Sequence, residues 1–340
     1  MYMKKEKYLT DKQLRRKIKF FRFMMSLFGG VSLKKKSRRT GTEMFIPTNE
    51  GPVRVLTYNM DNPQRLPLYV NLHGGGFVLG NPEIDDPFMP DIAEKANVKI
   101  ISIDYSLAPE FPFPKALNEC YAVIQYVKEH PDEFGINPDR IAVGGHSAGG
   151  NLSAGICLMD NDARQLGVKC LTDNEPKQLG VKCLTDNDAR QLGVKYLTDN
   201  EPKQLGIKCL ILDYPPMDLY TEAGSKPLPK GALPVFMCRL FDACYMNDKE
   251  ARRNPLISPV YATIDDVRNF PPTLVITAQF DSLCGEGEQF RDLLITAGVA
   301  VTHKRFEAKH GFNLAPGVDS AESWQLMIDH LKRYLWDFVK

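Results

Sequence analysis

Residues 140 to 151, Arg-Ile-Ala-Val-Gly-Gly-His-Ser-Ala-Gly-Gly-Asn, constrain the fold of this chain more than any other stretch. Ile141, Ala142 and Val143 make a short apolar run suited to a parallel strand buried on both faces. From Asn151 onward, Leu152, Ala154, Ile156 and Leu158 can continue as a helix. Ser147 falls at the junction, within Gly145-His146-Ser147-Ala148-Gly149. Glycines on both sides of a serine permit a sharp strand-to-helix bend where larger side chains would collide, and the bend lifts the hydroxyl out of the sheet. The N–H groups at the start of the helix then face any charge that develops beside it. Such a pentapeptide also occurs as a plain turn; the strand before it and the helix after it favour a reactive serine.

The rest of the chain supplies a matching frame. Val53 to Tyr58 alternates like an early edge strand, and Pro67 to Leu72 is a second strand running into His73-Gly74-Gly75-Gly76-Phe77. Three glycines after a buried strand let backbone N–H groups approach a ligand closely, and the serine bend makes an oxyanion hole the better reading than a flexible turn. Val98 to Asp104 is a third strand, ending in Asp104-Tyr105 and Leu107-Ala108-Pro109-Glu110. Pro112 and Pro114 delay the next helix, whose face carries Leu117, Cys120, Tyr121, Ile124 and Val127. Thr273 to Ala278 and Val301 to Phe306 read as strands, with helices over Gly287 to Ala297 and from Trp324 to Phe338. Alternation of this kind predicts an α/β fold, a mainly parallel sheet with helices on both faces and ligands at the carboxyl ends of its strands.

The motifs His73-Gly74-Gly75-Gly76, Asp104-Tyr105 with Leu107-Ala108-Pro109-Glu110, and Gly145-His146-Ser147-Ala148-Gly149-Gly150 together resemble the hormone-sensitive-lipase-like branch of α/β-hydrolases, which contains bacterial acetyl esterases and carboxylesterases. The likeness covers roughly residues 50 to 340 apart from one insertion. It implies a serine esterase with a helical cap, no metal and no cofactor. It also implies that residues 215 to 260, rich in Pro, Met, Phe and Tyr, contribute to the substrate pocket; ordinary helical packing is the alternative. This chain departs from the family pattern at Ser282, Cys284 and Gly285, where Pro, Arg and Asp are expected, so the loop there is expected to be looser.

A serine hydroxyl needs a base within hydrogen-bond reach and a carboxylate to orient that base. In this fold the partners follow in the order serine, acid, histidine. Asp281 just after one strand and His310 after the next fit that order. His130 and His330 fall in helices, His303 in a strand, and His73 and His146 in the motif turns, which leaves His310 as base. Glu286 rivals Asp281 as the acid, or else supports the histidine loop or caps a helix; Asp104 is read as an anchor of its turn. The N–H groups of Gly75, Gly76 and Ala148 are the expected oxyanion donors, with Gly74 shaping the turn. Cys284 has no second histidine to activate it.

Four near-identical 13-residue units fill residues 160 to 211: Asp160 to Thr172, Asp173 to Thr185, Asp186 to Thr198 and Asp199 to Ile211. The period matches no familiar solenoid. The first copy continues the helix after Ser147, and the last flows into the strand Ile207 to Asp213, so one unit would suffice as connector. Tandem duplication of a helix-to-strand connector is the simplest reading, on the end of the sheet away from the catalytic face, where added length costs loop entropy alone. Copies of Leu-Gly-Val-Lys-Cys-Leu should also compete for the one strand position during folding.

Net charge is +1, with no overall bias toward nucleic acid, but residues 1 to 40 hold 14 Lys or Arg against Glu6 and Asp11, giving +12 there and −11 elsewhere. Leu14, Ile18, Phe21, Met25 and Phe28 recur at helical spacing among basic residues, so residues 11 to 28 are read as an amphipathic helix. Its stripe either packs over the body, the favoured reading, or lies on an anionic membrane surface. Phe20 to Phe28 is too short and interrupted to be a signal peptide or a spanning helix. Eight cysteines without close metal-type pairs point to a reducing cytoplasm.

The predicted organisation is a basic cap segment over residues 1 to 45 and a catalytic domain over 46 to 340, with the repeats at 160 to 211 and a second cap segment at 215 to 260. The expected activity is hydrolysis of small-molecule esters of short to medium acyl chain, because a compact N-terminal cap implies a shallow pocket. A membrane-associated lipase and a non-catalytic binding protein on the same fold are the competing readings. Oligomeric state is not legible.

Overall fold

The computed structural model describes residues 10–28, 39–172 and 204–336. In chain order the main elements are α1 (Asp11–Phe28), β1 (Thr42–Thr48), β2 (Gly51–Tyr58), β3 (Leu66–Leu72), α2 (Met89–Ala96), β4 (Lys99–Ile103), α3 (Lys115–Glu129), β5 (Ile136–His146) and α4 (Ala148–Thr172). Then follow β6 (Ile207–Asp213), α5 (Val235–Tyr245), β7 (Thr273–Ala278), α6 (Cys284–Thr296), β8 (Val301–Phe306) and α7 (Val318–Leu335). The strands form one sheet in the order β1-β2-β4-β3-β5-β6-β7-β8. β1 and β2 pair antiparallel, as do β2 and β4, and every later pairing is parallel.

Two apolar layers hold the sheet, and the period of two along each strand decides which side chain enters which layer. Val70, Ile101, Val143, Leu210, Leu212 and Val275 face one layer with α3, α4 and α6. Their neighbours Tyr69, Ile100, Ala142, Ile211, Leu274 and Ile276 face the other, under α2 and α7, where Ile92, Trp324, Met327 and Leu331 pack. Strands covered on both faces carry unbroken apolar runs, and every residue of β3, β4 and β7 is buried.

Four details differ from the sequence reading. β2 is internal; the edge belongs to β1, whose polar sequence and Pro47 hid it and whose outer side chain Phe45 is exposed. Because β1 starts at Thr42, residue 45 falls inside the sheet and the N-terminal segment ends before it. α2 was not anticipated, being only two turns long with an apolar face of Met89, Ile92, Ala93 and Ala96. His130 caps the end of α3, with its ring nitrogen Nδ1 at 2.8 Å from the Tyr126 carbonyl.

α1 lays Leu14, Ile18 and Phe21 against the body, with Phe21 edge-to-face on Phe241 of α5 at 5.7 Å between centroids. α4 runs through the whole first repeat copy, and β6 lies in the fourth. The second and third copies and Asp199 to Lys203 lie outside the described residues. The carboxylate of Asp160, which opens the first copy, accepts the N–H groups of Leu205, Gly206 and Ile207 of the fourth, joining the body of the helix to the start of the strand. This clasp lies at the end of β6 away from Ser147, because Ile207 pairs with Ile141 whereas Asp213 pairs with His146. Among the described residues no helix is long and apolar enough to cross a membrane.

Candidate active site

The carboxyl ends of β3, β5, β6, β7 and β8 lie side by side, and β3, β5, β7 and β8 each continue into one part of the site. β5 ends at His146, and Ser147 takes the left-handed conformation, φ +50, before α4 begins at Ala148. That strained turn is held by the Ser147 N–H, which donates to the Asp213 carbonyl at 2.8 Å. A side chain on Gly149 would strike the Leu72 carbonyl of the neighbouring strand, which is why the motif needs glycine there.

His310 and Asp281 meet this serine from the ends of β8 and β7. His310 Nε2 is 3.0 Å from Ser147 Oγ, and His310 Nδ1 is 2.6 Å from Asp281 Oδ2. The three sequence-predicted residues are thus joined in one line. Asp281 is buried, its N–H donates to the Ala278 carbonyl, and its Oδ1 accepts the Leu283 N–H at 3.1 Å. Backbone bonds thus hold Asp281 within the loop that carries Ser282, Cys284 and Gly285.

The loop after β3 turns tightly, with the Val78 and Leu79 N–H groups both donating to the Gly75 carbonyl. Gly75 and Gly76 have φ of +130 and +59, and a Cβ on Gly76 would enter the Phe241 ring. Gly74 lies against Ser147. Among the described residues, no acceptor takes the N–H of Gly75, Gly76 or Ala148. The loop is steadied from below: the His73 ring stacks on Tyr105 at 4.1 Å, and the Tyr105 hydroxyl donates to the His73 carbonyl at 2.7 Å. Asp104 accepts from Arg54 at 2.8 Å, in keeping with its expected anchoring role.

Glu286 does neither of the things the sequence suggested. From α6 its Oε1 accepts the N–H groups of Met217 and Asp218, and its Oε2 takes Lys226 Nζ at 2.5 Å, so it clamps the segment after β6 rather than the histidine loop. Burial and the Glu288 carboxylate push the Cys284 thiol up, and it sits 3.5 Å from Glu288 rather than beside an imidazole that would activate it.

A buried polar network behind the serine was not legible in the sequence. His146 Nδ1 is 2.6 Å from Asp213 Oδ2, which also accepts the Asn313 amide at 2.5 Å. Asp85 Oδ1 stands 3.6 Å from His146 Nε2, and Asp85 Oδ2 accepts from Asn71 at 2.8 Å. Burial opposes a charge on His146, but Asp85 and the bond to Asp213 outweigh it, raising the imidazole above its ordinary value. Burial raises Asp213 as well, against the pull of His146. The only sequence signal was the histidine inside the motif, which had no visible partner.

The site opens into a cavity of about 540 Å³, walled by Val78, Leu107, Leu219, Val235 and Phe241 and reached by Arg22 of α1. Residues 216 to 242 supply much of its wall. Arg22 donates to the carbonyls of Val78 and Ala108 at 2.9 and 2.8 Å and pairs with Glu110 at 3.0 Å, tying α1 to the glycine loop.

A family model described as alpha/beta hydrolase fold matches residues 69–314. The carboxylic ester hydrolase LipN of Mycobacterium tuberculosis is 30% identical over 302 residues, covering 86% of this chain and 70% of LipN. The hormone-sensitive lipase of Mus musculus is 44% identical over 96 residues, 28% of this chain and 13% of the lipase. Among solved structures, EstE1, a thermostable carboxylesterase cloned from a metagenomic library, aligns with a TM-score of 0.70 at 26% identity over 97% of this chain and 99% of its own. Matches of this length, over the same strand ends that hold Ser147 and His310, mean that the chain belongs to the α/β-hydrolase family, in its hormone-sensitive-lipase-like branch.

Proposed function

We propose that this carboxylic ester hydrolase cleaves short- to medium-chain esters through an acyl-enzyme on Ser147, with His310 as base and Asp281 orienting it. The observation that carries the reading is the continuous contact from Ser147 Oγ to His310 Nε2 and from His310 Nδ1 to Asp281 Oδ2. His310 removes the hydroxyl proton as Oγ attacks the ester carbonyl carbon. The unpaired N–H groups of Gly75, Gly76 and Ala148 receive the oxyanion, and each such donor supplies roughly a hundred- to thousandfold in kcat. The alcohol leaves with the proton from His310, and water, deprotonated by the same imidazole, hydrolyses the acyl-enzyme.

The cavity volume supports acyl groups longer than acetyl, and residues of α1 and α5 line it. The segment before β1 acts in this reading as a cap, since Leu14, Ile18 and Phe21 of α1 pack on the body. Phe20 and Phe23 remain 65% and 56% exposed beside basic residues, the feature that favours peripheral contact with an anionic membrane. All six described cysteines are free thiols, which supports a reducing cytoplasm.

The test is a p-nitrophenyl ester series of increasing acyl length, with Ser147→Ala and Asp281→Asn alongside. Activity should peak at short to medium chains and vanish in Ser147→Ala; Asp281→Asn should lower kcat by about 10³- to 10⁴-fold. A peak at long chains favours the lipase reading, and unaltered turnover by Ser147→Ala overturns the mechanism.

A further inference from the structure

The cavity wall carries one charged group that the hydrolytic chemistry does not use. Asp242, on the face of α5 that holds Val235, Cys238 and Phe241, lines the cavity and is half-buried. The other charged residues lining the cavity are engaged. Arg22 is held by Glu110 and two carbonyls, Lys226 by Glu286 and the Asp218 carbonyl, and Asp218 accepts the N–H groups of Tyr220 and Thr221 and the Tyr261 hydroxyl. His310 is taken by Asp281. Asp242, among the described residues, has neither a hydrogen bond to its carboxyl nor an ion pair; its neighbours act on it only at longer range. Those neighbours are Lys226 and Arg252 on the positive side and Glu286 and Asp218 on the negative side, with the Cys238 thiol one turn back on the same helix. Above about pH 7, where Asp242 and Glu286 are both ionised, these three acids face two cations, which leaves one negative charge unmatched at the cavity wall.

We infer that Asp242 forms a cation subsite in the substrate cavity, selecting esters that carry an ammonium group in the part of the molecule that extends toward α5. The inference rests on the ester hydrolase reading of Ser147 and adds to it a substrate class. An ammonium group supplies the missing charge, and Phe241, which lines the same wall one residue earlier, offers a ring to a quaternary nitrogen. Burial pushes the Asp242 carboxyl up to about 7, opposed by Lys226 and Arg252, so the subsite gains its charge as pH rises through neutrality. Below that range the same wall is neutral and suits an apolar group.

Acetylcholine and 3,3-dimethylbutyl acetate have the same shape and differ by one charge. Their kcat/KM ratio at a given pH cancels whatever both esters require of the shared triad. The full-length protein should favour the cationic ester by about tenfold or more at pH 8, and less at pH 6. In Asp242→Asn the ratio should fall to about one at both values. A ratio near one for the unaltered protein at pH 8, or a ratio that Asp242→Asn leaves in place, overturns the subsite. Calorimetric binding of choline against 3,3-dimethylbutanol to Ser147→Ala reads the subsite without turnover, and equal affinities also overturn it. If no ester is cleaved while choline is still preferred at pH 8, the hydrolase reading fails and the subsite stands.

Discussion

The carboxylate of Asp213 takes the imidazole of His146 at 2.6 Å, and the same oxygen accepts the Asn313 amide. One buried acid therefore joins the residue before the nucleophile to the loop three residues after the base. The Tyr214 hydroxyl closes the ring by donating to Asn313 Oδ1 at 2.5 Å. Removing one partner of a buried ion pair costs up to about 3–5 kcal/mol, here at the low end because Asp85 still faces His146 at 3.6 Å. Asp213→Ala should lose stability on that scale in urea denaturation, and should lower kcat more than it raises KM, since the distance between Ser147 and His310 depends on both loops. A loss below about 1 kcal/mol would show that the network is dispensable.

Arg22 makes a second prediction. Its guanidinium is the polar link between α1 and the loop that carries Gly75 and Gly76, through the Val78 carbonyl. Arg22→Ala should keep the sheet folded but lower kcat/KM roughly tenfold, the effect of loosening positioned groups beside the reacting atoms. Lysine cannot span the two carbonyls and Glu110 with a planar fork, so Arg22→Lys should recover little. Circular dichroism alongside ester turnover separates this from global unfolding; full activity in Arg22→Ala would exclude a role for α1 in positioning the loop.

How far the sequence went depends on the range of the interaction involved. The apolar runs at β3, β4, β6 and β7 are dictated locally by burial on both faces, so they were readable, as were the glycines that permit the Ser147 bend. Asp281 and His310 were readable because fold order restricts which strand ends can carry them. β1 was not, because an edge strand with a solvated face needs no apolar run. The roles of Glu286 and Asp213 depend on partners 60 or more positions away, Lys226 and His146, which no local pattern encodes. Asp242 likewise gains its meaning only from the cavity around it.

Acid stability should depend on His330. Burial in α7 lowers its pKa to about 4, with Nε2 at 3.2 Å from the Pro272 carbonyl. The unfolded chain takes the proton near the ordinary imidazole value of 6.5, the folded one only near 4, so stability is lost as pH falls across that interval and no further below it. The difference corresponds to something on the order of 3 kcal/mol. Asp242 and Glu286, both raised to about 7, act in the opposite sense, because their folded forms bind protons more readily. Comparing the unaltered protein with His330→Gln cancels those terms: the gap in unfolding free energy between the two should narrow steadily from pH 6.5 to pH 4.5. A constant gap would mean that His330 titrates equally in both states.

The repeats yield the last prediction, from the clasp between Asp160 and the N–H groups of Leu205, Gly206 and Ile207. Asp160 is the first residue of its unit, and Asp199 is the first residue of the unit that contains Leu205. Deleting residues 160 to 198 joins Met159 directly to Asp199, which puts an aspartate back at the position that Asp160 now occupies. A connector of Asn200 to Gln204 then leads to the same Leu-Gly-Ile segment. The clasp can therefore re-form within a single unit, and the deletion lies at the end of β6 away from Ser147. The shortened protein should keep kcat/KM within about twofold and refold faster, because only one Leu-Gly-Ile-Lys-Cys-Leu segment remains to compete for β6 and the loop to be closed is shorter. Adding Asp199→Ala to the deletion should destabilise it by about 1–3 kcal/mol, the cost of leaving buried N–H groups without their acceptor. Stopped-flow refolding and ester turnover measure both effects. A large loss of activity on deletion would show that the extra copies reach the catalytic end of the sheet, and an unchanged refolding rate would remove the competition between copies.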